Sequence, residues 1–422
     1  MTNSLHLPDS DPNSFALNVV HKLRSAGFEA VWAGGCVRDA LLGIVPKDYD
    51  VATSARPEDV IRLFGARKTV AVGADFGVIV VVGKHKSDGL VQVATFRSDG
   101  NYSDGRRPDS IDFCSAEEDA LRRDFTINGM FYDPVAGRII DYVDGQRDLE
   151  RGVIRAIGTA EERFKEDKLR MLRAARFAAR FEFTLDERTA VAIRRRASEL
   201  KQVSIERIAQ ELRRMFAHCS RHLALELLEE TSLFAVIFPA TSDEGRNAAR
   251  RIMPFLSQPT FEPAVAAVLM ERLDDTADRH KSRTARIATA CREFKFSNDE
   301  TSTICWLCDT CDRCRNPSQL PLHELKPLLA DVRHLLLLDL IEACVCAEQR
   351  PRCDIDFLRT YLAKTTQEAL NPPPLVTGSD LKTLGVKESP AFSKILRMIR
   401  EEQLDEVILT RDEAIARARQ LN

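Results

Sequence analysis

Nowhere among the 422 residues does an uninterrupted apolar run reach the length of a membrane-spanning helix, about 18 residues, so no span is expected. The opening stretch, Met1 to Ser14, has neither a basic start nor an apolar segment, which argues against a secretory leader and for a cytoplasmic protein. Aromatic residues are only 7%, too few for a surface that stacks many bases on rings. No internal repeat and no low-complexity tract organises the chain. A net charge of −3 does not by itself mark a nucleic-acid binder. The eleven cysteines of a cytosolic chain read as free thiols, not as a disulfide framework.

What is present is enough for several packed units. The length predicts two to four of them, and 44% hydrophobic residues can fill their cores. Charge is unevenly placed. Between Arg151 and Arg214 stand 17 Lys and Arg against 10 Asp and Glu, an excess of seven, so the rest of the chain carries −10. A basic segment inside an acidic protein is an electrostatic footprint for a polyanion.

The patterning predicts an α/β head followed by helices. Ala16, Val19, Val20 and Leu23 recur at helical spacing, and Gly27 ends the run. Phe28 to Ala33 reads as a strand, Gly34-Gly35 as a turn into a short helix reaching Leu42, and Tyr49 to Val51 as a second strand. Pro57 opens another helix. Val70–Val72, Val78–Val82 and Val91–Phe96 are β-rich, and Ser98 to Pro108 is a polar, mobile loop. From Glu161 onward helices dominate with no further sheet, and Pro372-Pro373-Pro374 marks a linker before a last helical piece. The expected division is a head over 1–150, a helical neck and body over 151–240, a body and tail over 241–370 and a C-terminal tail over 371–422.

Chemistry concentrates in two places. Asp48 and Asp50 alternate on a strand and so project to one side. Two adjacent carboxylates repel unless a cation lies between them, and Mg²⁺ with few carboxylates plus substrate phosphates suits nucleotidyl transfer. Just upstream, Gly34-Gly35-Cys36-Val37-Arg38-Asp39 offers open backbone N–H groups at Gly35 and a cation at Arg38 for a triphosphate. An acidic turn and a tight turn would account for either piece alone, though not for the two at this spacing.

At these residues the chain resembles the DNA polymerase β-like nucleotidyltransferases, specifically the family of class II CCA-adding enzymes and bacterial poly(A) polymerases. The resemblance continues through Arg122-Arg123-Asp124-Phe125-Thr126-Ile127-Asn128, the family's second motif, and Asp144-Gly145 in its third. It covers roughly residues 28 to 215. It implies an enzyme that extends the 3′ end of tRNA from CTP and ATP with Mg²⁺, with Asp48 and Asp50 as catalytic metal ligands and no stable protein partner. It also implies nucleotide contacts from Gly35, Arg38 and Arg123. One position departs. Where the family usually has Glu, this chain has Gln92, an amide that can ligate a cation but brings no charge. Gly129 also stands where Ala is common.

The second place is Glu166 to Arg176. Asp167, Arg170 and Arg173 recur at i, i+3 and i+6 in a stretch that reads as helical, with Arg176 continuing the series. The stretch resembles the family's fourth motif, which implies that Asp167 and Arg170 read the incoming base, with Arg173 and Arg176 on phosphates or in support. Cytosine and adenine each show an amino donor beside a ring-nitrogen acceptor, which a carboxylate and a guanidinium complement. Uracil and guanine show the reverse. An ordinary charged helix with Asp–Arg pairing is the bland alternative. Ser204-Ile205-Glu206-Arg207 resembles the fifth motif, a structural support.

Within the family, Val72-Gly73-Ala74-Asp75-Phe76-Gly77-Val78 and the stretch from Thr377-Gly378-Ser379-Asp380-Leu381 to Gly385 resemble the tRNA-adding branch. Poly(A) polymerases usually carry Gly-Arg-Arg-Phe at the first place and a basic extension at the end. The loop from Ser98 to Pro108, which CC-only enzymes lack, is present. Partial CC- or A-addition, poly(A) synthesis, and a non-catalytic RNA-binding protein with a degenerate head are the alternatives. Cys305, Cys308, Cys311 and Cys314 have a spacing that invites a zinc or iron–sulfur reading, but cysteines three apart also simply follow a helix, and free thiols are expected.

Overall fold

The apolar periodicity near the start forms α1 (Asp11–Ser25), whose Ala16, Val19, Val20 and Leu23 are all buried. Burial of each such Val or Leu stabilises by about 1.5–3 kcal/mol. The chain turns at Gly27, with φ +88°, into β1 (Ala30–Ala33), four residues buried on both faces. Next come α2 (Gly35–Leu41), β2 (Asp50–Thr53) and α3 (Pro57–Phe64), which has proline at its start. β3 (Thr69–Gly73), β4 (Val78–Val82) and β5 (Leu90–Thr95) follow. In this computed structural model the described residues are 11–73, 77–85, 87–100, 111–270, 282–384 and 390–421. Residues 74–76 of the Gly73–Gly77 turn, residues 101–110 of the polar loop, the first ten residues and Gly385 lie outside them.

β6 (Arg97–Asp99) and β7 (Ile111–Phe113) pair antiparallel, so Ser98 belongs to a strand and not to a loop. α4 (Ala116–Leu121) leads to β8 (Phe131–Asp133) and β9 (Arg138–Ile140), then α5 (Gly145–Glu150) and β10 (Val153–Ile154). Seven strands make one sheet in the order β3-β4-β5-β2-β1-β8-β9, antiparallel except where β2 runs parallel to β5. The strand expected at Tyr49 begins one residue later, leaving Asp48 and Tyr49 just ahead of it.

α6 (Ala160–Glu166) and α7 (Leu169–Phe181) continue the chain. β11 (Thr184–Leu185) pairs parallel with β10, so sheet structure does occur past Glu161, as a two-residue clip. α8 (Glu187–Arg196) and α9 (Ile205–Phe216) follow.

The chain divides into two compact units. One is Met1–Met215 with Leu223–Pro239, and the other is Phe216–His222 with Ala240–Asn422. The described residues of the second are helical and carry no strand. Its last portion has its own apolar cluster of Val376, Leu381, Ile395, Ile399, Ile408, Ala414 and Ala418. Buried Lys326 is satisfied by the Leu404 carbonyl and Glu406, each at 2.8 Å. Among the described residues no helix is long and apolar enough to cross a membrane.

Candidate active site

The first cluster forms where β1 ends and β2 begins. Gly34 has φ +69°, a backbone conformation that favours glycine, and a Cβ there would lie 2.9 Å from Arg123 Nη1, which would have to shift. Asp48 is exposed and Asp50 half-buried. The Asp50 Oδ1 atom is buried and has no hydrogen-bond partner among the described residues. Burial pushes the Asp50 carboxyl above its ordinary value, against the pull of the Arg123 cation, and the Asp48 charge adds to the rise. An ionised carboxylate in this setting has Arg123 as a counter-charge but no hydrogen-bond partner on Oδ1, and a divalent cation would supply one. The donor set, two carboxylates at the end of a strand, fits a hard cation that also takes phosphate oxygens.

Asp119 places Arg123. It is buried and accepts from Arg122 at 2.6 Å and Arg123 at 2.9 Å. Burial alone would raise its pKa, but the two guanidiniums hold it below the ordinary value.

A second network joins the two glycine-adjacent and basic motifs. Arg38 is buried, donates to Asp39 at 2.6 and 2.8 Å and to Asn128 Oδ1 at 2.5 Å, and lies over Phe177 and Phe181. Its guanidinium is therefore held by internal partners. Asn128 Nδ2 in turn donates to Asp124 Oδ1 at 3.0 Å, and Asp124 Oδ2 accepts from Arg173 at 2.6 and 2.9 Å. Arg38, Asn128, Asp124 and Arg173 thus form one chain of charge-assisted hydrogen bonds across three sequence motifs. Burial opposes ionisation of Asp124, but Arg173 and the Asn128 amide outweigh it and bring its pKa down to about 2. A carboxyl depressed in the folded state contributes stability above its ordinary value, 3.8, and loses it as pH falls toward 2. Asp124→Asn should therefore cost about 2 kcal/mol at neutral pH and flatten the fall in stability between about pH 4 and 2. Urea midpoints measured across that window check it, and an unchanged pH slope would refute it.

The stretch from Glu166 to Arg176 differs from the expected continuous helix. Asp167 lies between α6 and α7 in an extended conformation, and its Oδ1 accepts from Leu169 N at 3.0 Å. A carboxylate that bonds its own backbone two residues on breaks a helix and starts the next. Asp167 does not pair with Arg170. It takes a bidentate pair from Arg207 at 3.1 and 2.7 Å. Arg170 donates to Glu166 at 2.5 Å and to the carbonyls of Arg163 and Arg122 at 3.2 Å each. A carboxylate has about four lone-pair positions and a guanidinium five N–H donors. Three are used on each side chain, so Asp167 keeps one acceptor position on Oδ2 and Arg170 two donors, all on groups with fixed orientation. Arg176 is turned inward to Glu211 at 2.5 Å. Burial brings its pKa down to about 10, against the Glu211 attraction.

Sequence reading missed Asp119, placed Asp124 and Glu166 in motifs without giving them a role, and named Arg207 only as support. Asp119–Arg123 and Glu166–Arg170 have helical i, i+4 spacing, a visible signal. Asp124–Arg173 and Asp167–Arg207 span 49 and 40 residues and leave none. The cysteine run follows one helix, Asn298–Arg313, with Cys314 at its end. Cys305, Cys308 and Cys311 have separate partners, the Thr284 carbonyl, the Ala266 carbonyl and the Cys344 thiol. All eleven cysteines are free thiols.

A mixed sheet with two aspartates at the start of one strand, beside a glycine turn, is the arrangement on which the nucleotidyltransferase resemblance rests. Residues 30–155 match the family described as the poly(A) polymerase head domain, and residues 182–244 match the probable RNA- and SrmB-binding site of polymerase A. In these two regions the chain is similar to poly(A) polymerases and CCA-adding enzymes. It is 45% identical over 250 residues to the CCA-adding enzyme of Geobacillus kaustophilus, across 58% of this chain and 60% of that one. It is 44% identical over 227 residues to the CCA-adding enzyme of Geobacillus stearothermophilus, across 54% of this chain and 55% of that one. These matches therefore span less than two thirds of the relatives' length. The crystal structure of the Bacillus stearothermophilus CCA-adding enzyme in complex with CTP superimposes with a TM-score of 0.75 at 28% identity, covering 97% of this chain and 98% of that one.

Proposed function

We propose that this chain transfers CMP and AMP from CTP and ATP to the 3′ end of tRNA without a nucleic-acid template, in the cytoplasm and with Mg²⁺. The observation that carries the reading is the buried, unpartnered Asp50 oxygen beside Asp48, next to Gly34 and Arg123. The CTP complex of a relative with the same fold over nearly its whole length supports the substrate class.

In this reading Asp48 and Asp50 hold Mg²⁺. When bound, the ion neutralises charge on the triphosphate and favours the ionised primer hydroxyl. Arg123, fixed by Asp119, places a cation beside the same centre. Gly35 leaves its backbone open to phosphate oxygens. Asp167 accepts the amino group of cytosine or adenine, and Arg170 donates to the ring nitrogen. Arg207 and Glu166 hold these two in register, while Arg38, Arg173 and Arg176 keep the supporting network in place.

The test is incubation of the pure protein with tRNA lacking its 3′ CCA, Mg²⁺, and labelled CTP and ATP. Addition of two C and one A is the expected result. A product that stops after CC, or an ATP-only tail of many residues, assigns the chain to the partial or poly(A) branch. No incorporation with any nucleotide refutes the enzymatic reading.

A further inference from the structure

We infer that this centre takes its divalent cation together with a nucleoside triphosphate and not beforehand, because the position beside Asp50 on the next strand is the amide Gln92. The inference rests on the nucleotidyl-transfer reading and deepens it.

The register decides which residue stands next to Asp50. In the parallel β2–β5 ladder Asp50 is opposite Gln92, and Val51 is opposite Val93. Residues opposite one another share a face of the sheet, with Cβ atoms about 5 Å apart. Val51 and Val93 are buried on one side, whereas Gln92 is exposed, so the face that carries Asp50 opens outward at Gln92. A cation on the Asp50 oxygen is thus within reach of Gln92, which meets it with a neutral oxygen.

The charge available is correspondingly small. Asp48 and Asp50 supply two negative charges, and Arg123 acts on Asp50 with the opposite sign. Among the described residues no group of three or more His, Cys, Asp or Glu side chains could hold a metal ion. A doubly charged hard cation gives up hydration reluctantly, and a site with so little net negative charge holds it weakly. A triphosphate brings the missing charge as phosphate oxygens. The cation and the nucleotide then stabilise each other at the site, and neither occupies it well alone.

The experiment reads Mn²⁺ binding by electron paramagnetic resonance, with no turnover required. Wild type and Gln92→Glu are titrated with Mn²⁺, with and without a non-hydrolysable α,β-methylene analogue of CTP. Without nucleotide, Gln92→Glu should bind Mn²⁺ roughly tenfold to a hundredfold more tightly than wild type, since one charge is added close to a divalent ion. With the analogue present the two should agree to within about threefold, because the phosphates dominate. Adding Asp50→Ala to Gln92→Glu should remove the gain. Equal Mn²⁺ affinity of wild type and Gln92→Glu without nucleotide overturns the inference, as does a gain that survives Asp50→Ala. Extension of tRNA together with equal Mn²⁺ binding refutes the cation order alone. Absence of extension with the expected Mn²⁺ pattern refutes the nucleotidyl-transfer reading alone.

Discussion

Asp50→Ala should abolish nucleotide incorporation, by about a thousandfold or more, and leave the protein at least as stable as wild type. The two halves of this expectation have one cause. Folding raises the Asp50 pKa, so the protein loses stability as pH climbs from 3.8, the ordinary value, through the raised one, and the full penalty is present at neutral pH. The variant removes that penalty together with an orphaned buried oxygen. On the proposed reading it also removes one of the two charges that would hold the cation. Asp48→Ala should lose activity similarly, but with little change in stability, because Asp48 is exposed. The measurements are labelled-CTP incorporation and the thermal midpoint of each protein. Activity within tenfold of wild type in either variant would take that carboxylate out of catalysis. A large drop in the Asp50→Ala midpoint would show that the side chain is structural.

Asp167→Ala should turn a selective enzyme into a promiscuous one. On the proposed reading, the remaining acceptor position on Oδ2 meets the amino group of C or A, and it repels the carbonyl of U or G at the same place. Removing it forfeits a buried hydrogen bond worth about 1–3 kcal/mol. The kcat/KM ratios of CTP over UTP, and of ATP over GTP, should then fall by roughly one to two orders of magnitude. Arg207 loses its carboxylate in this variant, so the thermal midpoint must be read alongside. Unchanged ratios in a folded, active Asp167→Ala protein would place base selection elsewhere.

The sequence made some of this legible because the relevant spacings are short. The helical period in α1 and the valine run of β4 each report structure within a few residues, whereas the strand that alternation of Asp48 with Asp50 implied begins only at Asp50. β8 and β11 escaped because three and two residues are too short for any period to show. The break at Asp167 escaped because it comes from a side chain bonding its own backbone, with no proline or glycine to mark it. The arginine partners escaped because a fold brings them together from far apart. Gly129 had no reading in sequence. In the structure a Cβ there would lie 2.7 Å from Val143 Cγ2 and 3.0 Å from Ile157 Cδ1, so close packing accounts for the glycine.

The excess of cations between Arg151 and Arg214 looks different once the partners are known. Of its 17 Lys and Arg side chains, at least twelve lie within 4 Å of a carboxylate, among them Arg155, Arg163, Arg170, Arg173, Arg176 and Arg207. Several of those carboxylates belong to other segments. Much of the charge that a tally along the chain assigns to this segment is already spoken for as internal scaffolding. A polyanion approaching it meets a field set by the cations outside those pairs, such as Arg188 and Lys201. It therefore exchanges far fewer of its condensed counterions for protein charge than seventeen cations would imply. The segment's arginines hold a shape first and attract a polyanion second.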